Sequence, residues 1–144
     1  YVYKLKQDFP DDEIIINGGI TSVEEIRPHL KKTDGVMIGR AAYHTPYLLA
    51  DIEREIFDNE NVPSRQDVIE QLIPYVKSEL KKGTRLNQIM RHTLGLFHGQ
   101  SGASFWKRYL SENMCVRDAD VKKIDHIMDK VKFNNFDRSV GTSA

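Results

Sequence analysis

The stretch IIINGGITSVEEI, residues 14–26, decides the fold of the first half of this 144-residue chain. Its three isoleucines form a short apolar run, so residues 13–17 are predicted to be a strand buried on both faces. A helix is predicted to follow, because two pairs of residues have the spacing of a capping box: Thr21 with Glu24, and Ser22 with Glu25. The order strand, double glycine, helix is typical of an α/β fold.

The same order repeats in the next segment. GVMIG, residues 35–39, is predicted to be a second buried strand, and a helix should follow with Thr45 as N-cap and Pro46 at its first position. Strands that alternate with helices form parallel sheets. Two strands alone do not make a stable sheet, so further strands are expected upstream. The charged opening without an initiator Met also suggests a fragment of a longer protein.

The second half of the chain shows only helical periodicity. Its first helix should open at Ser64 and Asp67 and end at Gly83, with Pro74 kinking or dividing it. Three more helices are predicted at residues 86–97, 103–113 and 118–132. The prediction is therefore an α/β part at residues 1–62 and an all-α part at residues 63–144, joined by a polar linker.

Charge is distributed unevenly, although the net charge is zero. Residues 1–62 hold seven basic and twelve acidic residues, a net charge of −5, so the remainder carries +5. Residues 83–117 hold five basic residues and one acid. A polyanionic partner and an ordinary solvated surface both explain this segment. No apolar run is long enough for a membrane helix, and the single Cys115 and the histidine spacing predict no metal site.

Glycines follow both predicted strands, in Asn17-Gly18-Gly19 and in Gly39-Arg40. A glycine lets the backbone approach a ligand closely, and loop amides with a following helix N-terminus favour a phosphate. In a (β/α)8 barrel, the loops after the last two strands form the usual phosphate site. Spacing alone leaves a phosphate site and plain turns equally open.

Three segments together resemble the C-terminal part of the tRNA-dihydrouridine synthases, specifically their A subfamily: IIINGGITSVEE, DGVMIGRAAYHTPYLLADIE and MRHTLGLFHGQSGASFWKRYLSEN. The resemblance covers roughly residues 1–132. It implies an FMN-binding (β/α)8 TIM barrel followed by a small helical domain that helps to hold tRNA. It also implies NADPH as the reductant of the flavin, hydride transfer to uracil C6 and protonation of C5 by a cysteine. The product would be 5,6-dihydrouridine in the D-loop.

The resemblance assigns the cofactor contacts residue by residue. Asn17, Gly18 and Gly19 correspond to one turn that binds the FMN phosphate, and Gly39 with Arg40 corresponds to the other. The catalytic cysteine of the family lies upstream of residue 1, so no catalytic residue is expected in this chain, which should be inactive alone. Cys115 lies away from the barrel motifs and is not that cysteine. His44 either faces the flavin or caps a helix.

The predicted RNA-binding residues are Arg91, Ser104, Lys107 and Arg108. Basic residues beside an aromatic residue suit contact with a nucleic-acid backbone, although Trp106 itself is expected in the core. Ser104 stands where family members often have a further basic residue, so this chain departs from the family pattern at that tRNA contact.

Two other functions remain open. The chain could belong to an FMN barrel oxidoreductase that acts on a small molecule, which would share the glycine turns but would not need the basic helical part. It could also be a non-catalytic RNA-binding module. A monomer in the cytoplasm, or in an organelle, is the expected state of the protein.

Overall fold

The computed structural model describes residues 1–116 and 120–130. The chain divides into two compact units, Tyr1–Val62 and Pro63–Ala144. Each unit is described by itself. Within the described ranges, we find no helix with the length and hydrophobicity of a membrane span.

The first unit is built on two parallel strands. Its elements in chain order are α1 (Val2–Asp8), β1 (Ile15–Asn17), α2 (Val23–Leu30), β2 (Gly35–Met37), α3 (Arg40–His44) and α4 (Leu48–Ile56). The two strands pair in parallel, with Ile15 opposite Gly35 and Asn17 opposite Met37. The predicted parallel pair joined by a helix is therefore confirmed. Because the strands are parallel and in register, their carboxyl ends lie at the same edge of the sheet.

Burial of the strands differs from the prediction. Ile15 is 55% exposed and Met37 is 47% exposed, so neither strand is buried on both faces within this chain. A sheet of two strands has no neighbouring strand on its outer edges, and it lacks the helices that cover both faces of larger parallel sheets. The apolar core of this unit comes mainly from α2, α4 and their flanking residues: Ile20, Val23, Ile26, Tyr47, Leu48 and Ala50.

Helix α2 begins as the sequence predicts, with a small difference in its cap. Ser22 is the N-cap, and its hydroxyl accepts a hydrogen bond from the Glu25 amide at 3.3 Å. The Glu25 carboxylate accepts from the backbone amide of Thr21 at 2.7 Å. The reciprocal half of the capping box thus reaches one residue further upstream than Ser22.

The prediction for the start of α4 is wrong. The short helix α3 occupies Arg40–His44, and Thr45 ends it instead of starting the next helix. The Leu48 amide donates to the Thr45 carbonyl at 2.9 Å, which forms a turn, and α4 begins only at Leu48. Thr45 and Pro46 have the composition of a helix start, but the turn delays that start by two residues.

A charged cluster joins the amino ends of the two strands. The Lys6 ammonium contacts the Asp34 carboxylate at 2.7 Å and the carbonyl oxygens of Pro10 and Asp12 at 2.9 Å each. The same Asp34 carboxylate accepts a hydrogen bond from the Ile14 amide at 2.8 Å. The hydrogen bond from Ile14, followed by the contact with Lys6, lowers the pKa of Asp34 below its usual value.

We expect acid to destabilise the first unit through Asp34. A carboxyl whose pKa is lower in the folded state than in the unfolded state stabilises the fold at pH values above its unfolded pKa, about 3.9. This stabilisation is lost as the pH falls from there through the folded-state pKa. Asp34→Asn should therefore make the free energy of unfolding less dependent on pH below about 4. Urea unfolding of the natural full-length protein between pH 3 and 7 measures this, with Asp11→Asn as control because the Asp11 side chain makes no hydrogen bond within the described residues. Equal pH dependence in both variants would contradict the role of Asp34.

The described residues of the second unit form helices joined by turns, without a strand. Its elements are α5 (Arg65–Lys81), α6 (Leu86–Met90), a 3-10 segment (Arg91–Thr93), α7 (Ala103–Asn113) and α8 (Lys122–Lys130). Ser64 and Asp67 form the predicted capping box, and Gly83 ends α5 with a φ of +89°. Helix α5 runs through Pro74 as one helix, so of the two predicted outcomes Pro74 does not divide it, and a kink there stays a prediction.

The region after α6 also corrects the sequence prediction. The apolar stripe of residues 86–97 predicts one helix, but α6 ends at Met90 and a 3-10 segment follows. The buried Trp106 indole lies against the segment after α6, where it donates to the Thr93 carbonyl at 3.0 Å and its ring lies 4.7 Å from that of Phe97. Helix α7 has the predicted bounds, whereas the predicted ends of the last helix, residues 118 and 132, lie outside the described residues, as do Val131 and the tail after it.

Candidate functional site

A cleft of about 710 Å³ opens at the carboxyl ends of β1 and β2. Its lining is made by the two turns that follow the strands and by α3: Asn17, Gly18, Gly19, Ile20, Thr21, Met37, Gly39, Arg40, Ala41, His44 and Thr45. All five residues predicted to bind the cofactor are in this set. The structure brings them together because parallel strands in register place their carboxyl-end loops side by side.

Gly18 and Gly19, the two glycines of the first turn, differ in backbone conformation. Gly19 has a φ of +65°, a backbone conformation that residues with a side chain rarely adopt. Gly18 has no such constraint, and a Cβ built on it meets no atom of the chain within 4 Å. Neither backbone conformation nor packing within the described chain explains a glycine at position 18. The space beside position 18 is open within the described chain.

The start of α2 is closed by its own side chains. The Glu25 amide donates a hydrogen bond to the Ser22 hydroxyl. The Glu25 carboxylate accepts hydrogen bonds from both the amide and the hydroxyl of Thr21. The hydrogen bond from the Thr21 amide is the main reason that the pKa of Glu25 is lowered. The carboxylates of Glu24 and Glu25 lie in the first turn, where they offset the positive end of the helix. The amides of Thr21 and Glu25 thus already have side-chain partners, so we expect a phosphate at this turn to be met mainly by the loop backbone.

The start of α3 is open in contrast. Gly39 is the N-cap and forms no side-chain cap, and the first turn contains no acidic residue. The first amides of any helix have no partner within that helix. The exposed Arg40 adds a guanidinium beside these amides, and it forms no ion pair with a carboxylate of the described residues. Backbone amides and a forked cation are the groups that bind a phosphate.

These groups have the chemistry that a bound phosphate needs. At Gly18, Gly19 and Gly39 no Cβ atom projects from the backbone that lines the cleft. Arg40 adds a positive charge to the same lining. Several lining residues were not predicted from the sequence to bind the cofactor: Ile20, Thr21, Met37, Ala41 and Thr45. Their positions immediately beside the two glycine turns are the signal that would have found them. His44 is both the last residue of α3 and part of the cleft lining.

The basic residues of α7 share one exposed face. Ser104, Lys107 and Arg108 are exposed and lie opposite the buried Trp106 and Leu110. This face follows from helical periodicity, since residues three and four apart are neighbours. Lys107 forms no ion pair within the described residues, and the Arg108 guanidinium lies 5.9 Å from the ring centroid of Phe105. The face is therefore available to an anionic partner.

Arg91 lies apart from this face in the 3-10 segment. It is exposed, and its Nε donates to the Nε2 of His92 at 3.2 Å. No direct contact between Arg91 and the three residues on α7 is recorded within the described part of the chain. The structure thus groups three of the four predicted RNA-binding residues and leaves the fourth separate.

Cys115 lies at the surface after α7. Its sulfur accepts a weak contact from the Asn87 side-chain amide at 3.8 Å. The cleft residues are in the other unit. No group of three His, Cys, Asp or Glu side chains in residues 1–116 and 120–130 has the arrangement needed to hold a metal ion.

Comparison with known proteins identifies the relatives of this chain. The family model described as dihydrouridine synthase matches residues 1–132. A tRNA-dihydrouridine(20/20a) synthase of Synechocystis is 49% identical over 133 residues, which are 92% of this chain and 40% of that protein. Proteins of the same name from Haemophilus ducreyi and Escherichia coli K12 are 44% and 47% identical, over 88% of this chain and 40% and 37% of their own lengths. The chain thus spans about 40% of the length of the curated relatives that it matches.

Proposed function

Because this chain belongs to the dihydrouridine synthase family, we propose that it forms the C-terminal part of a flavoenzyme that reduces uridine in tRNA. The observation that carries this proposal is the cleft, which gathers Asn17, Gly18, Gly19, Gly39 and Arg40 at one edge of the sheet. The names of the relatives point to positions 20 and 20a of tRNA as the modified uridines. These positions are proposed here as the substrate of the whole protein.

The first unit is proposed to be the last part of an FMN-binding barrel. The exposed Ile15 and Met37 support this, because parallel strands are usually covered on both faces. Additional barrel strands would cover these side chains. The phosphate site would then lie after the last two strands of the barrel, where such sites usually occur.

The residues of the cleft are proposed to anchor the cofactor by its phosphate. The loop backbone at Gly18 and Gly19 would approach the phosphate from one side, and Arg40 with the open start of α3 from the other. Bound FMN, reduced by NADPH, would supply the hydride that uracil receives. The task of this chain would be to hold the phosphate so that the flavin has a fixed position, since reaction rates depend strongly on orientation.

The second unit is proposed to contact tRNA through α7. Ser104, Lys107 and Arg108 share an exposed face, and two of them are cations that can neutralise backbone phosphates. Arg91 would make a separate contact. Cytoplasmic localisation and a monomeric state stay predictions.

We expect Arg40→Ala to weaken FMN binding to the natural full-length protein. Charge-assisted hydrogen bonds contribute about 1.5–3 kcal/mol, but exposure of Arg40 reduces this to roughly 1–2 kcal/mol, or about 5- to 30-fold in Kd. Flavin titration of the apoprotein measures the effect, with riboflavin as the ligand that lacks the phosphate.

Lys31→Ala is a matched control for this prediction, since Lys31 is an exposed cation of the same unit that does not line the cleft. The variant Arg40→Ala should lose affinity for FMN and keep its affinity for riboflavin. Equal FMN affinity in Arg40→Ala and Lys31→Ala would remove Arg40 from the site.

An FMN barrel oxidoreductase that acts on a small molecule is the alternative function. It would bind FMN in the same cleft, so flavin titration does not separate the two proposals. Binding of bulk tRNA does separate them, because only the first proposal gives the basic face of α7 a polyanionic partner.

A further inference from the structure

We propose that His44 is a second contact for the phosphate in the cleft and that its protonation makes cofactor affinity depend on pH. This inference rests on the proposed function, because it assumes that the cleft binds the FMN phosphate. It adds a titratable residue to a site that otherwise depends on backbone amides and on a permanently charged arginine.

The geometry of α3 places His44 beside Arg40. The two residues are the first and last of the helix, four positions apart, and both line the cleft. Residues at this spacing lie on the same face, with Cβ atoms about 5–6 Å apart. An anion held by Arg40 is therefore within reach of the imidazole of His44.

The ring of His44 is held by a neighbouring aromatic residue. The Tyr43 ring meets it edge-on, with centroids 5.6 Å apart and an angle of 76° between the ring planes. His44 itself is exposed. An exposed imidazole restrained by one edge contact keeps its nitrogen atoms free to meet a ligand that enters the cleft.

The acidic side chains around α3 are occupied by other groups. Helix α4 packs against α3, and each of its carboxylates has a partner in the structure: Asp51 contacts Arg54 at 3.1 Å, Glu53 accepts from Asn59 at 3.0 Å, and Glu55 contacts Arg27 at 3.1 Å. On α2, Glu25 is held by Thr21, and Glu24 lies in the capped first turn. Arg40 and His44 are the only ionisable side chains in the described lining of the cleft. A bound phosphate would therefore be the anion that meets an imidazolium at position 44.

Protonation of His44 changes its interaction with a phosphate. An imidazolium donates from both nitrogens and carries positive charge, whereas a neutral imidazole donates from one nitrogen only. The extra attraction exists only while the ring is protonated, so it should be lost as the pH rises. The phosphate monoester itself takes up a proton near pH 6, so affinity should also fall in more acidic solution.

The test uses the natural full-length protein freed of its flavin. The Kd values of FMN and of riboflavin are measured between pH 5.5 and 8.5 for the wild type, His44→Gln and His44→Lys. The ratio of the two Kd values isolates the phosphate, since riboflavin carries the same ring system without it. Arg40→Ala serves as the reference variant for loss of phosphate binding.

We expect the wild-type preference for FMN over riboflavin to fall roughly three- to tenfold between pH 6 and 8, as for one partly screened charge. At pH 8 the preference of His44→Gln should equal that of the wild type, and at pH 6 it should not rise above that level. In His44→Lys it should stay high at pH 8. Riboflavin affinity should be the same in all three proteins.

Two results would overturn the inference while leaving the proposed function intact. The first is a preference for FMN that depends on Arg40 but has the same pH profile in His44→Gln and the wild type. The second is a His44→Lys protein that follows His44→Gln at pH 8. A wild type without any preference for FMN over riboflavin would overturn both, because the cleft would not be a phosphate site.

Discussion

Replacing both Lys107 and Arg108 with glutamate is expected to weaken tRNA binding by the natural full-length protein about hundredfold at physiological salt. Each contact between a cation and a phosphate releases counterions, so two lost contacts cost roughly 2 kcal/mol, and the introduced carboxylates add repulsion. Both side chains lie on the exposed face of α7, where no described carboxylate pairs with Lys107. The fold of the second unit should survive, because Trp106 and Leu110 supply the buried face of this helix.

The salt dependence of tRNA binding gives a second measure of the same effect. The slope of log affinity against log salt is about −0.7 to −0.9 for each neutralised phosphate, so loss of two contacts should flatten the line by roughly 1.5 units. Affinity measured at several salt concentrations therefore separates lost phosphate contacts from a general loss of structure. FMN occupancy should not change, since the proposed anchor residues are in the first unit.

A matched control is available on another helix of the same unit. Lys122 and Lys123 are also adjacent basic residues, at the start of α8, and their replacement by glutamate makes the same change in net charge. If this pair weakens tRNA binding as much as the pair on α7, the effect reflects net charge alone. If neither affinity nor slope changes for the α7 pair, this face does not bind RNA.

Gly18→Val is expected to reduce FMN affinity by roughly 30- to 150-fold, as for an overpacking cost of about 2–3 kcal/mol. The chain itself should tolerate the change, because a Cβ at position 18 meets no atom within 4 Å and the backbone there does not have a positive φ. A branched side chain would instead fill the space that the phosphate is proposed to use. Flavin content after dialysis and FMN titration measure the loss.

The smaller variant Gly18→Ala should have an intermediate effect, and the melting temperature should stay unchanged in both variants. Gly19→Val is a different experiment, because its φ of +65° makes any side chain strained, at about 1–3 kcal/mol. That variant should lose both flavin and stability of the first unit. A Gly18→Val protein that retains FMN at wild-type affinity would show that the glycine at this position only forms a turn.

The cleft shows how far a sequence pattern can predict a site. Asn17 to Gly19 and Gly39 with Arg40 were selected because they follow two strands predicted to be parallel, and the structure gathers them because those strands pair in register. The pairing rule depends only on strand order, so it can be applied without coordinates. Which of the two helix starts remains open to an anion could not be predicted, because it depends on where the Glu25 carboxylate turns.

Local signals in the sequence determined most helix starts and ends in this protein. Ser22, Ser64 and Gly83 act on amides and carbonyls within a few residues of themselves, so their effects do not depend on the rest of the fold. Tertiary structure decided what lies against each element. It left Ile15 and Met37 exposed, because only other parts of a protein can cover a sheet. It also gave the Thr93 carbonyl, shortly after the end of α6, a hydrogen bond from the buried Trp106 indole thirteen residues away, a partner that no local pattern indicates.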